Sequence, residues 1–471
     1  MRGASHSLGL LAVAAAAAAS FLSCDVRDRA ATAPLERPNV LLISIDSLRA
    51  DHVGALGYHR NTTPAIDALA NDGALFTRGI SSTSWTLPAH AALMTGLLDS
   101  AHGVTTTGKR LDDSAITLAE AFASAGYRTA GFFGGPFLDP SFGFAQGFDT
   151  YVDCSAAGDA GVPVQKRHAT SHRDRTNPEI LWNVLRELEG IGEQPFFLFV
   201  HFWDVHYDLI PPPRYVEMFD PGYPDRYRGS NFRHDPDYRE GADETLREHV
   251  LALYDGEVLY TDDTIAMLVS ALRARGLLDR TLVVVTSDHG DELLDHGDKG
   301  HRHTLYQELI RIPILFRLPG RVKPRRVDVP VSITDVAPTI LDLAGLEPLP
   351  NATGRSLARA LETGATVSPV PVISELAATG RAQHARSIVA GDDKVIFQSR
   401  RKGPIYFDLA ADPGERSPRN ASEVERAEPL LSELDARLAE ARELGRRLRI
   451  AARADIASSL GERLRSLGYV D

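Results

Sequence analysis

Cysteine is scarce in this chain, because Cys24 and Cys154 are the only two among 471 residues. Two cysteines cannot provide a disulfide framework, and modification of Cys24 would leave Cys154 without an intramolecular partner. Stability must therefore come from the hydrophobic core and from any bound metal. With 43% apolar and 24% charged residues, the chain is able to bury a large core.

An excess of basic charge is also missing. The 51 Lys and Arg residues stand against 63 Asp and Glu residues, which gives a formal net charge of -12. Nucleic-acid binding needs a concentrated basic face for phosphate contacts, and the sequence shows none. We therefore predict no nucleic-acid partner, while a local basic pocket for an anionic substrate remains compatible with this charge.

Long apolar runs are rare, and the run at 8–22 is shorter than the roughly 20 residues that span a bilayer. It follows Arg2 and ends in small residues before Cys24. Residues 1–24 therefore predict a signal peptide of the bacterial lipoprotein type, followed by a tether at 25–38. An ordinary cleaved signal and an uncleaved anchor are the alternatives. The prediction is an exported envelope lipoprotein that faces the periplasm or the exterior and contacts the membrane only through its anchor.

From residue 39 onward, apolar runs of strand length alternate with helical patterns. This alternation predicts an α/β fold with a mostly parallel sheet flanked by helices. The segments 154–175 and 208–242 lack periodicity and predict long loops. After residue 365, shorter strand-like runs and a leucine-faced helix predict a smaller α+β subdomain. The predicted domains are a catalytic domain at 39–365 and a C-terminal subdomain at 366–471. The predicted strands of the first domain are 40–45, 127–133, 196–200, 281–286 and 312–316, and its helices are 64–72, 89–95, 115–125, 178–188 and 244–275.

Polar side chains follow three of these predicted strands. Asp46 follows the first strand, His201 the third, and Asp288 with His289 the fourth. The carboxyl ends of parallel strands gather at one edge of a sheet, and stiff strand ends can hold several ligands around one cation. Asp46, Asp288 and His289 are therefore the predicted metal ligands. A histidine among them fits zinc or manganese as well as calcium.

A hydroxyl lies between these motifs. Thr86 precedes a short predicted helix that runs from Pro88 to Thr95 and is stopped by Gly96. The backbone N–H groups at the start of a helix can hold an anion. The combination of a metal site and this hydroxyl is typical of an enzyme that acts on anionic esters.

The ordered motifs resemble the sulfatase family of the alkaline-phosphatase superfamily. The resemblance rests on the segments 39–51, 63–69 and 88–96, on Ser287-Asp288-His289-Gly290-Asp291-Glu292, on 306–308 and 312–313, and on 406–409, 412–415 and 467–470. It covers nearly the whole chain after residue 38. The resemblance implies a hydrolase fold and an ester-hydrolase activity.

One departure from the family pattern concerns the nucleophile. Sulfatases carry a Cys/Ser-x-Pro-x-Arg signature in which Cys or Ser is oxidised to formylglycine, whereas this chain has Thr86-Leu87-Pro88-Ala89-His90. The β-carbon of Thr86 already carries a methyl group, so that aldehyde cannot form, and we predict no formylglycine. His90 stands where the family has arginine, and we count it among the catalytic candidates.

Thr86 can act instead as a metal-activated nucleophile and as a fourth metal ligand. A divalent ion favours an ionised hydroxyl, as it does for zinc-bound water, whose pKa falls from 15.7 to about 7. Threonine nucleophiles occur in phosphoryl-transferring relatives of the superfamily. We therefore predict a hydrolase that uses one divalent ion. Its predicted substrate is a sulfate or phosphate/phosphonate ester of a small molecule or a glycan. The chain shows no Asp-x-x-x-His pair before Asp288 that would predict a second metal.

The resemblance also implies roles for several basic side chains. His206 and His301 correspond to residues that bind the ester oxygens or protonate the leaving group, a role that suits histidine. The predicted substrate-binding residues are His303, His102 and Lys109. Two alternatives stay open: a transferase that passes a phospho-alcohol group to an envelope acceptor, and a non-catalytic binder of sulfated or phosphorylated glycans.

Overall fold

The computed structural model describes residues 37–155, 175–222, 229–230, 232–378 and 383–466. The predicted signal peptide, Cys24 and most of the tether lie outside these residues, as does most of the predicted loop at 154–175. Lipoprotein processing and export therefore stay predictions. Among the described helices, none combines the length and the apolar character that a bilayer crossing requires.

Strands and helices alternate along the described chain. The strands are β1 Asn39–Ile45, β2 Ala74–Ile80, β3 Lys109–Leu111, β4 Arg128–Phe133, β5 Thr150–Asp153, β6 Phe196–Phe202, β7 Thr281–Ser287, β8 Glu292–Leu293, β9 Lys299–Gly300, β10 Arg311–Arg317, β11 Arg325–Ser332, β12 Val372–Leu376, β13 Ala385–Ala390, β14 Asp393–Gln398, β15 Ile405–Asp408, β16 Arg419–Asn420 and β17 Ala451–Arg453. The helices are Pro64–Asn71, Thr86–Thr95, Asp99–His102, Leu118–Ser124, Asn177–Gly190, Pro213–Phe219, Glu244–Ala274, Gln307–Ile310, Val336–Ala344, Ala358–Thr363, Ala427–Leu448 and Ser458–Ser466.

An eight-stranded sheet in the order β11-β2-β10-β7-β1-β6-β4-β5 lies at the centre of the fold. The strands β7, β1, β6, β4 and β5 run parallel to one another, as do β11 and β2, whereas β10 runs antiparallel to the strands on both of its sides. Because β7, β1 and β6 are adjacent, their carboxyl ends meet at one edge of the sheet. The predicted fold class is confirmed.

Both faces of the sheet are covered, which explains why the central strands are continuous apolar runs. In β1, Val40 and Leu42 pack in one core cluster, whereas Leu41, Ile43 and Ile45 pack in a second cluster on the opposite face. The alternation follows from the two-residue period of a strand. Each such side chain stabilises the fold by about 1.5–3 kcal/mol through burial.

The predicted strands and helices of residues 39–316 are all present, within three residues of their predicted bounds. The sequence analysis did not predict β2 or β11, which lack an apolar run. In β2, Gly79 fits because a Cβ atom there would come within 2.5 Å of the Ile312 carbonyl oxygen. The antiparallel β10 contains Pro313, and its register with β2 shifts between Ile312 and Ile314, as expected for a residue without an N–H group.

The predicted loop at 208–242 is wrong in one part, since Pro213–Phe219 is a helix. Its first residue is a proline, and the fixed φ angle of proline favours the first position of a helix. The helix packs on Glu244–Ala274, with Tyr215 buried and its ring 5.4 Å from that of Tyr260. Tertiary packing therefore supports a short helix that shows little periodicity in sequence.

The C-terminal part of the chain forms a five-stranded antiparallel sheet in the order β12-β13-β14-β15-β16. The helix Ala427–Leu448 packs on β13 and β14 and buries Leu434 and Leu438, as its leucine face predicted. Residues Glu36–Asp471 form one compact unit. The boundary between residues 365 and 366 stays a prediction.

A buried ion pair joins this sheet to the catalytic part of the chain. Lys394 Nζ lies 2.7 Å from Glu415 Oε1, and both side chains are inaccessible to solvent. Lys394 also donates to the Leu305 carbonyl, and the Gln307 N–H donates to Glu415. The pair therefore holds the segment that follows residue 303 against the C-terminal sheet.

We expect Lys394→Met to lower the free energy of unfolding by about 3–5 kcal/mol, because it leaves Glu415 as an uncompensated buried charge. Adding Glu415→Gln to this variant should recover part of the loss. Denaturant unfolding monitored by circular dichroism measures both effects. Arg446→Met, which removes the exposed Arg446–Glu443 pair, is the control and should change little. Equal destabilisation by Lys394→Met and Arg446→Met would contradict the assignment of a stabilising role to the buried ion pair.

Candidate active site

The carboxyl ends of β1 and β7 bring the predicted metal ligands together. Ile45 pairs with Ser287 in the parallel register, so Asp46 and Asp288 leave neighbouring strands at the same level. One ligand atom from each of Asp46, Asp288 and His289 lies within 4.8 Å of the others, and all three side chains are buried. The arrangement is a compact group of two carboxylates and one imidazole.

Asp288 carries the clearest indication of a cation-binding site. Its Oδ1 atom accepts hydrogen bonds from the Ser47 N–H at 3.2 Å and the His289 N–H at 2.8 Å. Its Oδ2 atom is buried and makes no hydrogen bond with any residue that the structure describes. An unsatisfied buried acceptor costs about 1–3 kcal/mol, and more when it is charged. A bound divalent cation would satisfy this oxygen.

Asp46 points to the same conclusion. Burial raises its pKa to about 6, against the opposing effects of His289 and of hydrogen bonds from Ser47 and Thr86. The orientation of His289 is set by its Nδ1 atom, which donates to the Gly290 carbonyl at 2.9 Å. Its Nε2 atom then faces Asp288 Oδ2 at 3.5 Å, as a metal-binding imidazole requires. These residues therefore fit a divalent metal.

Thr86 is the first residue of the helix Thr86–Thr95, which begins two residues earlier than predicted. The helix ends where Gly96 adopts a left-handed φ of 67°. The Thr86 Oγ1 atom lies 3.4 Å from Asp46 Oδ2 and 3.2 Å from His289 Nε2. The structure thus brings the predicted nucleophile to the predicted metal ligands.

His90 lies one helical turn after Thr86 and is fully buried. Its Nδ1 atom donates to the Thr86 carbonyl at 2.9 Å, and its Nε2 atom lies 3.0 Å from Ser44 Oγ, from which it accepts. Burial, together with the neighbouring His201, lowers the pKa of His90 to about 3, so the ring is neutral. His90 therefore orients the start of the helix but does not supply the positive charge of an arginine.

The structure adds His201 to the group. This residue of β6 places Nε2 3.4 Å from Asp46 Oδ2, and its ring lies 4.6 Å from that of His90. Burial lowers the pKa of His201 to about 4. The sequence analysis noted His201 at a strand end without giving it a role. The available signal was an imidazole within an otherwise apolar strand.

His301 lies next to His289, and His206 lies next to His301. The ring centroid of His301 is 4.3 Å from that of His289 and 5.0 Å from that of His206. The His301 Nδ1 atom is 2.6 Å from Oδ1 of Asp291, a residue to which the sequence analysis gave no role. Burial lowers the pKa of His301, with His289 and His206 adding to the effect, and burial raises the pKa of Asp291. The position of Asp291 in the motif at 287–292 was the sequence signal that could have identified it as a site residue.

The contacts of the three predicted substrate-binding residues are to other groups. His303 binds Glu292 through Nε2 at 2.6 Å; burial opposes its positive charge, but this hydrogen bond and the negative charges of Glu292 and Asp298 together raise its pKa. His102 lies in the helix Asp99–His102 and accepts from the Val104 N–H. Lys109 is exposed in β3, which pairs with β17. Substrate contacts by these residues stay predictions.

Comparison with known protein families agrees with the sulfatase resemblance found in the sequence. The sulfatase family model matches residues 38–346, and a model of the C-terminal part of N-sulphoglucosamine sulphohydrolase matches residues 295–444. The chain belongs to the sulfatase family. The predicted resemblance is therefore confirmed, as is the assignment to ester hydrolases. Members of this family are metal-dependent, which agrees with the Asp46, Asp288 and His289 group.

Individual relatives cover most of this sulfatase-family chain. The ulvan-active sulfatase of Formosa agariphila is 25% identical over 461 residues, which span 89% of this chain and 84% of that protein. A solved structure in complex with its substrate D-glucosamine-2-N,6-O-disulfate aligns with a TM-score of 0.71 at 21% identity, over 87% of this chain and 98% of that one. The phosphonate monoester hydrolase of Agrobacterium radiobacter aligns with a TM-score of 0.69 at 22% identity, over 87% and 96%. Both structures show the shared fold.

We expect the affinity for a divalent cation to fall as the pH drops through about 6, because protons then compete for the Asp46 carboxylate, whose pKa burial raises to about 6. Above that pH, the carboxylate is ionised and available as a ligand. Titration calorimetry with Mn²⁺ at pH 7.5 and pH 5.0 measures the change. Asp288→Asn, which removes a second ligand charge, should bind weakly at both values. Equal affinity of the unmodified protein at both values would contradict the assignment.

Proposed function

We propose that this sulfatase-family protein is a metal-dependent hydrolase of sulfate or phosphate/phosphonate esters with Thr86 as its nucleophile. The observation that carries the proposal is the position of Thr86 Oγ1, 3.2 Å from His289 Nε2 and 3.4 Å from Asp46 Oδ2. A hydroxyl in this position lies next to both the metal-ligand group and the start of a helix. The substrate is a small-molecule or glycan ester.

Asp46, Asp288, His289 and Thr86 would hold one divalent ion, either zinc, manganese or calcium. The bound ion would favour the ionised form of the hydroxyl and polarise the ester. Thr86 attacks sulfur or phosphorus and forms a covalent ester, which water then hydrolyses. The backbone N–H groups of Thr86 and Leu87 lie at the start of the helix, whereas Pro88 has no N–H group. At most two N–H groups of the helix can therefore donate to the anionic group of the substrate. His206 or His301 assists the leaving group.

The replacement of two signature residues supports a chemistry without formylglycine. Thr86 cannot form the aldehyde, and the buried His90 is neutral where family members have arginine. The charge that balances the anionic substrate must then come from the metal and from cations nearer the surface. The names of the relatives, an ulvan-active sulfatase and a phosphonate monoester hydrolase, support both sulfate and phosphonate esters as substrate classes.

We expect Thr86→Ala to lower turnover by at least about 10³-fold, because it removes the nucleophile. The measurement is turnover of 4-nitrophenyl sulfate, phosphate monoester, phosphate diester and phosphonate ester by the metal-loaded protein. Thr86→Ser, which keeps the hydroxyl, is the matched control and should retain most of the activity. Unchanged turnover in Thr86→Ala would refute the nucleophile. Binding without turnover of all four esters would favour the non-catalytic alternative.

A further inference from the structure

Arg302 has an uncommon backbone conformation. Its φ angle is 70°, in the left-handed region that favours glycine. The segment is fixed there, because the Arg302 N–H donates to the Ser84 carbonyl at 3.1 Å and Ser84 Oγ donates to the Thr304 carbonyl at 2.8 Å. A long side chain in this conformation costs free energy, and such strained residues cluster at functional sites. Since glycine would fit this backbone better, the presence of arginine points to a use for its side chain.

The guanidinium group of Arg302 lies on the ring of Trp85. Its Cζ atom is 4.1 Å from the centre of that ring. Trp85 is buried, and the ring of Phe137 packs against it edge-on with centroids 5.5 Å apart. A guanidinium that packs on an aromatic ring through its flat face has its N–H groups along its edge. The residue next to the proposed nucleophile Thr86 therefore holds a positive charge in a fixed place.

The two neighbours of Arg302 in the chain have other partners. His301 Nδ1 lies 2.6 Å from Asp291 Oδ1, and His303 Nε2 lies 2.6 Å from Glu292 Oε2. The ring of His301 also adjoins the metal-ligand group. His301 is inaccessible to solvent, whereas Arg302 is partly exposed. Arg302 thus carries a charge at the accessible side of this segment, where a ligand can reach it.

The start of the nucleophile helix does not offer a guanidinium to the substrate. His90 stands where the family signature has arginine. Its ring nitrogens lie 2.9 Å from the Thr86 carbonyl oxygen and 3.0 Å from Ser44 Oγ, so both already have partners. An arginine that contacts the substrate must then come from another segment, and the position of Arg302 beside this helix start suits that role.

The direction of the side chains indicates which part of the substrate Arg302 contacts. Consecutive side chains leave the backbone in different directions. The Thr86 hydroxyl faces the metal-ligand group, whereas the guanidinium of Arg302 lies on the ring of Trp85. The guanidinium therefore lies to one side of the group that Thr86 attacks. A neighbouring part of the substrate would meet it.

We propose that Arg302 binds a second anionic group of the substrate, carried on the alcohol part of the ester. The proposal rests on the proposed function and names the substrate class of the same site. The preferred ester has a carboxylate, or a further sulfate or phosphate group, beside the bond that is broken. A guanidinium binds such an anion through two parallel N–H donors, which adds geometric selectivity to affinity.

The first test measures binding without turnover. Benzenesulfonate and its meta- and para-disulfonate analogues contain no ester bond, so they report anion binding alone. In titration calorimetry of the Mn²⁺-loaded protein, we expect the better disulfonate to bind about 10-fold more tightly than the monosulfonate. In Arg302→Gly the difference should fall below about 3-fold. Equal affinity for all three probes in the unmodified protein, including no binding, would overturn the proposal, as would a full difference in Arg302→Gly.

Arg449 provides a matched control in the same chain. It is an exposed arginine with a φ angle of 53° at the end of the helix Ala427–Leu448. Arg449→Gly removes the same charge and the same backbone strain, and it should keep the difference between the probes. Equal loss of the difference in both glycine variants would mean that net charge alone explains it, contrary to the proposal. Arg302→Lys should restore part of the difference, because it returns the charge without the paired donors.

Denaturant unfolding distinguishes binding from a purely structural role. Arg302→Gly loses the packing of the guanidinium on Trp85 but also relieves the left-handed conformation, and these two effects are similar in size and opposite in sign. We therefore expect the unfolding midpoint of Arg302→Gly to stay close to that of the unmodified protein. A clear loss of stability with an unchanged difference between the probes would assign Arg302 to packing and overturn the proposal.

A turnover test uses the plain and carboxylated forms of one ester. The substrates are the 4-nitrophenyl and 3-carboxy-4-nitrophenyl esters of the acid that the Thr86 variants select. We expect Arg302→Gly to lower the ratio of kcat/KM for the carboxylated ester over the plain ester by about 10-fold, mainly through KM. Arg449→Gly should keep this ratio, and an unchanged ratio in Arg302→Gly would contradict the proposal. Retained turnover in Thr86→Ala would refute the nucleophile and leave the sulfonate result unaffected.

Discussion

The burial of several carboxylates at one edge of the sheet is the constraint on which the rest of the site depends. Asp46, Asp288 and Asp291 are all inaccessible or nearly so, and the histidines beside them are neutral because burial lowers the pKa of His90, His201 and His301. Buried charges of one sign are unfavourable without a partner. A divalent cation at Asp46, Asp288 and His289 would relieve this repulsion and would attract an anionic ester.

The surrounding structure holds these charges in place with hydrogen bonds from residues outside the metal-ligand group. Ser81 donates to the Asp288 carbonyl, and Ser287 donates to the His289 carbonyl at 2.6 Å. Further along the chain, the buried Lys394 and Glu415 bind the backbone of 305–307, which follows the segment that carries His301. The C-terminal sheet thus packs against the segment that follows His301, and both parts belong to one compact unit.

Thr86 and His90 both replace residues of the family signature, and together they change the chemistry around the nucleophile. A formylglycine hydrate next to an arginine has a fixed positive charge near the nucleophile, whereas this site has a hydroxyl and a neutral imidazole bonded to Ser44 and to the Thr86 carbonyl. His90 keeps the helix start in position through hydrogen bonds rather than through charge. In the proposed reaction, the cation would supply more of the stabilisation of the departing group, because fewer fixed charges lie near the nucleophile.

The sequence by itself determined the central strands, the residues at their ends and the place of Thr86 near the start of a helix, since apolar runs and the residues that stop them are local features. It also determined that formylglycine cannot form at position 86, because that depends on the side chain alone. Only the tertiary structure decided the partners of each side chain. The pairing of Asp291 with His301 depends on the short hairpin of β8 and β9, and the proximity of His201 to Asp46 depends on the order of β6 and β1. The strands β2 and β11 and the direction of β10 are equally non-local, because a strand without an apolar run is stabilised by its neighbours in the sheet.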